Sequence, residues 1–166
     1  MARIFLLMCI AGMMMHPCNA QNMSSYDFKT ELEKAQNGDS AAQVIVAVFY
    51  MTGQQTEKDE KKGFEWFLKA AEAEEKSAYV NTARCYQNGT GTPRDYMQAA
   101  KWYTLAAENG DPYACFQIGW QYENGYGVGQ DYTKAFEWYE KSAGRGYAFA
   151  QHKVGYFYLH ALGVKY

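Results

Sequence analysis

Two histidines, His152 and His160, stand eight positions apart near the end of the chain, two turns along a helix. A transition-metal site needs three or four Cys, His, Asp or Glu ligands converging on one point. Neither histidine has a cysteine or acidic residue at ligand spacing, so both read as surface or partner-facing side chains. The stretch Gly125-Tyr126-Gly127-Val128-Gly129 has glycines spaced as in a phosphate-cradling loop. Such a loop follows a strand and leaves the next helix N-terminus open to the anion. Here the preceding pattern is helical and Asp131 occupies that N-terminus, so the stretch reads as a helix-to-helix connection. No Ser-His-Asp or Cys-His arrangement stands out. The expectation is no catalytic residue, no cofactor and no metal.

The remaining chemistry is aromatic. The chain holds 15 Tyr, 9 Phe and 4 Trp. Their positions follow a rule: Trp66, Trp102 and Trp138 recur every 36 residues, as do Asp59, Asp95 and Asp131, and Ala71, Ala107 and Ala143. A fixed period of this size means stacked supersecondary units, none of which buries its apolar face alone. A second set aligns ahead of each Asp. Ala42, Ala78, Ala114 and Ala150 start it; Ala47, Ala83, Gly119 and Gly155 lie five positions on; Tyr50, Tyr86, Tyr122 and Tyr158 lie eight on. Those offsets share one helix face. Each unit therefore holds a helix A with the aligned Ala and Tyr, and a helix B with the Trp.

Punctuation agrees. Gly89 and Gly125 fit left-handed caps ending helix A, and Gly38, Gly110 and Gly146 do the same for helix B. Asp39 and Asp111 stand at the N-cap of helix A, Pro112 fits a first turn, and Asp59, Asp95 and Asp131 cap helix B, Asp95 with Gln98 in capping-box spacing. A degenerate B helix over residues 24–36, with Thr30 in the place of Trp, caps the stack. No stretch reads as a strand. The fold class is all-α, a right-handed α-solenoid. Its parts are a leader over residues 1–20, a capping helix within 21–38, and an array over 39–166 of about three full repeats and a truncated fourth.

The leader reading rests on Arg3, an apolar run over residues 4–15, Pro17, and the small residues Cys18 and Ala20 at positions −3 and −1 of a cleavage site after Ala20. This is the pattern of a secretory signal peptide; the run falls well short of the roughly 20 residues a bilayer span needs. Met15, His16 and Pro17 are wrong for a lipoprotein box at Cys18. The mature protein is expected in the periplasm or outside the cell. The net charge of −2 and the absence of a Lys/Arg cluster exclude a nucleic-acid footprint.

Ala114-Cys115-Phe116-Gln117-Ile118-Gly119-Trp120-Gln121-Tyr122, then Gly125-Tyr126-Gly127-Val128, then Asp131-Tyr132-Thr133-Lys134-Ala135-Phe136-Glu137-Trp138-Tyr139 resemble the Sel1-like repeat, a relative of the tetratricopeptide repeat. The unit around Trp66 is weaker, with Gln55 and Thr56 in place of Gly-Val. The resemblance runs from about Gly38 to the C-terminus. It implies an α-solenoid scaffold that holds other proteins or peptides, found in bacterial periplasm and secretions. It also brings an alternative: a cysteine-rich branch is described as penicillin-binding or β-lactamase-like, although that branch pairs cysteines within each repeat and this chain does not. The closing residues, Gly163 to Tyr166, match the loop before a further B helix. Either an apolar face is exposed there or the chain is part of a longer product.

A partner surface is expected on the concave side, on the stripe of helix A that points away from helix B, at offsets −1, 2, 6 and 9 from the aligned Ala. In the first two units this stripe reads Ala41, Val44, Val48, Met51 and Ser77, Val80, Arg84, Gln87; in the next two, Tyr113, Phe116, Trp120, Glu123 and Phe149, His152, Tyr156, Leu159. The second half is strongly aromatic. Arg84, Tyr113, Trp120, Glu123, His152 and Tyr156 are the candidate contacts for a protein or peptide, with cell-wall glycan or muropeptide as the alternative ligand. After leader removal only Cys85 and Cys115 remain. In the repeat register about 9 Å of rise and 8–10 Å between neighbouring helices separate them, beyond the roughly 7 Å a disulfide tolerates. Two free, buried thiols are expected.

Overall fold

The computed structural model describes residues 23–164, so the leader and its cleavage site lie outside the described residues. A 3-10 turn at Met23–Ser25 precedes eight α-helices: α1 Phe28–Gln36, α2 Ser40–Thr52, α3 Glu60–Glu72, α4 Lys76–Asn88, α5 Tyr96–Glu108, α6 Pro112–Asn124, α7 Tyr132–Gly144 and α8 Ala148–Leu159. Each packs chiefly on the helix before and the helix after it. Even-numbered helices are type A and odd-numbered ones type B. The described residues contain no strand, and none of their helices is long and apolar enough to cross a membrane.

The caps explain where the helices start. Asp39 and Asp111 accept from the backbone N–H of Ala42 and Ala114, and Asp59, Asp95 and Asp131 do so from Lys62, Gln98 and Lys134. Glu75 does the same for α4 through Ser77. The first helix departs from expectation. It begins at Phe28, not residue 24, because Asp27 takes both the N–H and the hydroxyl of Thr30 and sets the cap one turn later.

The helix ends follow the glycines, with one exception. Gly38, Gly110 and Gly146 follow α1, α5 and α7 at φ between 85° and 95°; the matching position after α3 is Glu74, at φ 61°. A side chain in this left-handed region costs about 1–2 kcal/mol. Glu74→Gly is therefore expected to stabilise the protein by about 1 kcal/mol, read as a higher denaturant midpoint at unchanged slope. No gain would mean that the glutamate side chain repays its strain locally.

Successive units are tied by a close backbone approach. A Cβ on Gly127 would lie 2.7 Å from the Met97 nitrogen and closer still to the Tyr96 carbonyl; one on Gly163 would lie 2.6 Å from the Thr133 nitrogen. The loop after each A helix thus rests on the first turn of the preceding B helix. Gln55 holds this place in the first repeat, also at positive φ. It works through its side chain instead, accepting from the Phe28 N–H at 2.9 Å and donating to the Tyr26 carbonyl at 2.9 Å.

One apolar core runs from Val44 to Ile118, through α2 to α6, and a smaller one gathers Ala135, Phe136, Tyr139 and Phe157. Trp102 is buried, while Trp66 and Trp138 are half-buried. A lysine ammonium lies over each indole: Lys69 on Trp66, Lys101 on Trp102 and Lys141 on Trp138. Cys85 and Cys115 are both free and both buried. Burial pushes the Cys85 thiol up to about 12 and raises that of Cys115, although the Arg145 guanidinium stands 2.9 Å from its sulfur. Both thus stay protonated at neutral pH, Cys85 as a small apolar core residue and Cys115 with its sulfur accepting from Arg145 Nη1.

Candidate interaction surface

The A helices α2, α4 and α6 each place the residue at offset 9 toward the following B helix. In the first pair Met51 and Phe67 are both buried in the main core. In the second the Tyr103 hydroxyl donates to Gln87 Oε1 at 2.6 Å, and Gln87 donates to Gln117 of the next A helix at 3.3 Å. In the third the Tyr139 hydroxyl donates to Glu123 Oε2 at 2.5 Å, and Lys153 Nζ donates to both carboxylate oxygens at 2.7 and 2.8 Å. These three pairs, or rungs, hold one register of the repeat and grade from apolar through neutral to charged. Burial, reinforced by the Glu123 carboxylate, holds the Tyr139 phenol far above its ordinary value; burial does the same for Tyr103.

The rungs revise the partner stripe. Val44, Val48, Met51 and Val80 are core residues, covered by neighbouring helices. Glu123 was expected to face a partner, but Tyr139 and Lys153 occupy its carboxylate. Arg84 is half-buried on α4 with interactions of its own. The offsets do not point away from every B helix, because offset 9 lies only 40° of helix rotation from offset 5, which packs on helix B.

The other stripe residues form two groups of rings. Tyr113 of α6 meets Tyr103 of α5 edge-on at 6.2 Å and Tyr147 at 6.1 Å. Tyr147 also contacts Phe116 at 5.3 Å and Phe149 at 5.6 Å. This row crosses from α5 to the start of α8 and ends in Phe149, 59% exposed. Trp120 belongs to the second group, packed on Tyr126 at 5.0 Å while Tyr126 stacks on Tyr96 at 4.8 Å. Further along α8, His152 is exposed, and Tyr156 is 43% exposed with the His160 ring 4.3 Å away.

Tyr147 was missed by the helix-face reading, yet the sequence marks it. It occupies the N-cap place that Asp39, Glu75 and Asp111 hold in the other units, and α8 has no side-chain cap bond. Forgoing such a cap costs about 1 kcal/mol; the ring contacts to Tyr113, Phe116 and Phe149 take its place. Of the residues expected to be structural, Tyr50, Tyr86 and Tyr122 are half-buried and Gly119 is buried, whereas Tyr158 and Gly155 are exposed on α8. Among the described residues no group of three or more His, Cys, Asp or Glu side chains is placed to hold a metal.

The Sel1 repeat model matches residues 40–74, 76–111, 112–147 and 148–166, most of the chain. The chain belongs to the Sel1 repeat family. Sel1 repeats are helical scaffolds that mediate protein contacts. Among solved structures, this Sel1 array is similar to a protective antigen of uropathogenic Escherichia coli displaying an SLR fold, at 33% identity and TM-score 0.80, covering 84% of this chain and 30% of that one. It is also similar to a Sel1 repeat protein from Oxalobacter formigenes, at 30% identity and TM-score 0.72, covering 84% of this chain and 64% of that one. It thus spans less than two thirds of either relative. A Helicobacter pylori cysteine rich protein B shares the fold at 22% identity and TM-score 0.59, covering 76% of this chain and 93% of that one. No curated protein matches this sequence.

Proposed function

We propose that this Sel1 array is a secreted, non-catalytic scaffold that binds a peptide or protein segment across the type A helices α6 and α8. The observation that supports it is the ring row from Tyr113 through Tyr147 to Phe149, built where the repeat otherwise spends an acidic cap. Exposed aromatic side chains next to packed ones are typical anchors in an interface. Trp120, His152 and Tyr156 extend the surface along the same two helices, and Arg84 lies on α4 beside it. Residues 1–20 supply the export signal.

The test begins with protein recovered from the exported fraction, with Gln21 as its first residue. A partner captured on it is titrated against Phe149→Ala and Tyr156→Ala, both exposed enough to leave the melt unchanged. Each is expected to weaken binding by about 2 kcal/mol. Unchanged affinity in both variants would move the site elsewhere. The second reading, a cell-wall glycan ligand, draws on the Tyr96–Tyr126 stack, whose outer ring is 41% exposed. Pelleting with purified peptidoglycan, lost in Tyr126→Ala, would favour it.

A further inference from the structure

In an Asn-Gly pair the glycine has no Cβ to keep its backbone nitrogen away from the asparagine side-chain carbonyl. The chain has four such pairs, each at a helix C-terminus: Asn37-Gly38, Asn88-Gly89, Asn109-Gly110 and Asn124-Gly125. Their surroundings differ. Asn124 Nδ2 donates to the Trp120 carbonyl at 2.8 Å, and Asn109 Nδ2 to the Leu105 carbonyl at 2.9 Å. Asn37 and Asn88 make no side-chain hydrogen bond among the described residues. Gly89 is hemmed in: a Cβ there would stand 3.4 Å from Arg94 Cβ, and its N–H is held by the Cys85 carbonyl at 2.9 Å. A Cβ on Gly38 would meet nothing, and its N–H reaches the Ala35 carbonyl at 3.2 Å. Asn37 and Asn109 form a matched pair. Both are exposed and follow a B helix, at φ −80° and −83°, and their glycines sit at φ 95° and 94° in open space. The side-chain bond of Asn109 is what separates them.

We infer that Asn37 is a site of spontaneous deamidation, and that its product unlatches the capping helix α1. The Gly38 nitrogen attacks the Asn37 side-chain carbonyl carbon, the bond to Nδ2 breaks, and the attacking N–H proton leaves with it as ammonia. Water then adds to either carbonyl of the cyclic imide and opens the ring. One opening gives aspartate; the other gives isoaspartate, whose main chain runs through Cβ. Amide and water become acid and ammonia, with no further reactant. Isoaspartate lengthens the backbone at the joint between α1 and α2. There the Gly38 N–H donates to the Ala35 carbonyl at 3.2 Å, and the Asp39 N–H to the Lys34 carbonyl at 3.1 Å. An extra atom between residue 37 and Gly38 puts both bonds out of register. The buried Gln43, which donates to the same Ala35 carbonyl at 3.2 Å, then holds a carbonyl whose turn has come undone. Ala35, Phe28 and Leu32 of α1 cluster with Ala42 and Val46 of α2, so losing this joint uncovers the start of the array. The site lies apart from the ring row proposed above and is tested independently of it.

The intact protein is aged in heavy-oxygen water at mildly alkaline pH, and its peptides are mapped over time by mass spectrometry. The Asn37 peptide should turn from amide to acid and carry the heavy oxygen, because water opens the ring. Its rate should exceed that at Asn109 about tenfold, the margin that one side-chain hydrogen bond provides. Hydrogen exchange of the α1 amides should quicken in the aged protein while that of α5 stays as it was. Asn37→Gln keeps an exposed amide but would have to close a larger ring. It should leave the fresh melt unchanged and abolish both effects of ageing. Four results would each overturn the inference: no conversion at Asn37, conversion at Asn109 or Asn124 as fast as at Asn37, conversion at Asn37 with α1 exchange unchanged, or an equal rise of α1 exchange in aged Asn37→Gln.

Discussion

Trp102→Ala is expected to destabilise the array by about 3–4 kcal/mol, the largest loss among the three repeat tryptophans. Trp102 is buried in the main core with Tyr79 tilted against it at 5.8 Å, and its removal leaves a cavity at the middle of the stack. The indole Nε1 has no hydrogen-bond partner among the described residues, so its removal relieves one unmet donor and keeps the cost below the top of the range. Trp66 and Trp138 are half-buried with lysines over their faces, and alanine there should cost about 1–2 kcal/mol, in proportion to the smaller area lost. Guanidinium melts of the three variants give the ranking. Equal losses would show that the array unfolds unit by unit, with no unit depending on its neighbours.

Gly127→Ala should cost about 3 kcal/mol or more, from a left-handed backbone that disfavours any side chain and from a Cβ driven into the first turn of α5. Gly129, two residues on, is the control. A Cβ there meets nothing, and its backbone is not left-handed, so Gly129→Ala should be near neutral. Tyr126 should leave its stack on Tyr96 in the first variant only, which fluorescence of the adjacent Trp120 can report. A small loss for Gly127→Ala would mean that the loop has room to lift off α5 without cost.

Much of this architecture is legible in the residues. The 36-residue interval, the Asp caps and the glycine stops together determine the helix pairs, because capping and left-handed turns are local chemistry. The free state of Cys85 and Cys115 follows from the same register. The start of α1 was missed because Asp27 competes for the cap with no precedent in the other units. The rungs were missed for a different reason. Periodicity tells which residues share a face of one helix, but not which neighbour covers that face. Glu123 looked available until Lys153, 30 residues away, was seen to close on it. Tyr147 was legible only as a break in the cap pattern.

The graded rungs also bear on how a chain of near-identical units finds its own pairing. Helices this alike can pair one repeat out of step during folding, giving swapped or shifted arrays. Here several of the wrong pairings carry a penalty. Met51 against Tyr103 would bury a hydroxyl with nothing to accept it. Glu123 against Phe67 would leave a half-buried carboxylate without its tyrosine donor. Gln117 in place of Lys153 would leave that carboxylate without its cation. Each of these mispairings strands a buried or half-buried polar group, at up to about 1–3 kcal/mol. The apolar first rung and the Lys153 cation of the third thus mark units that the apolar core alone would leave interchangeable.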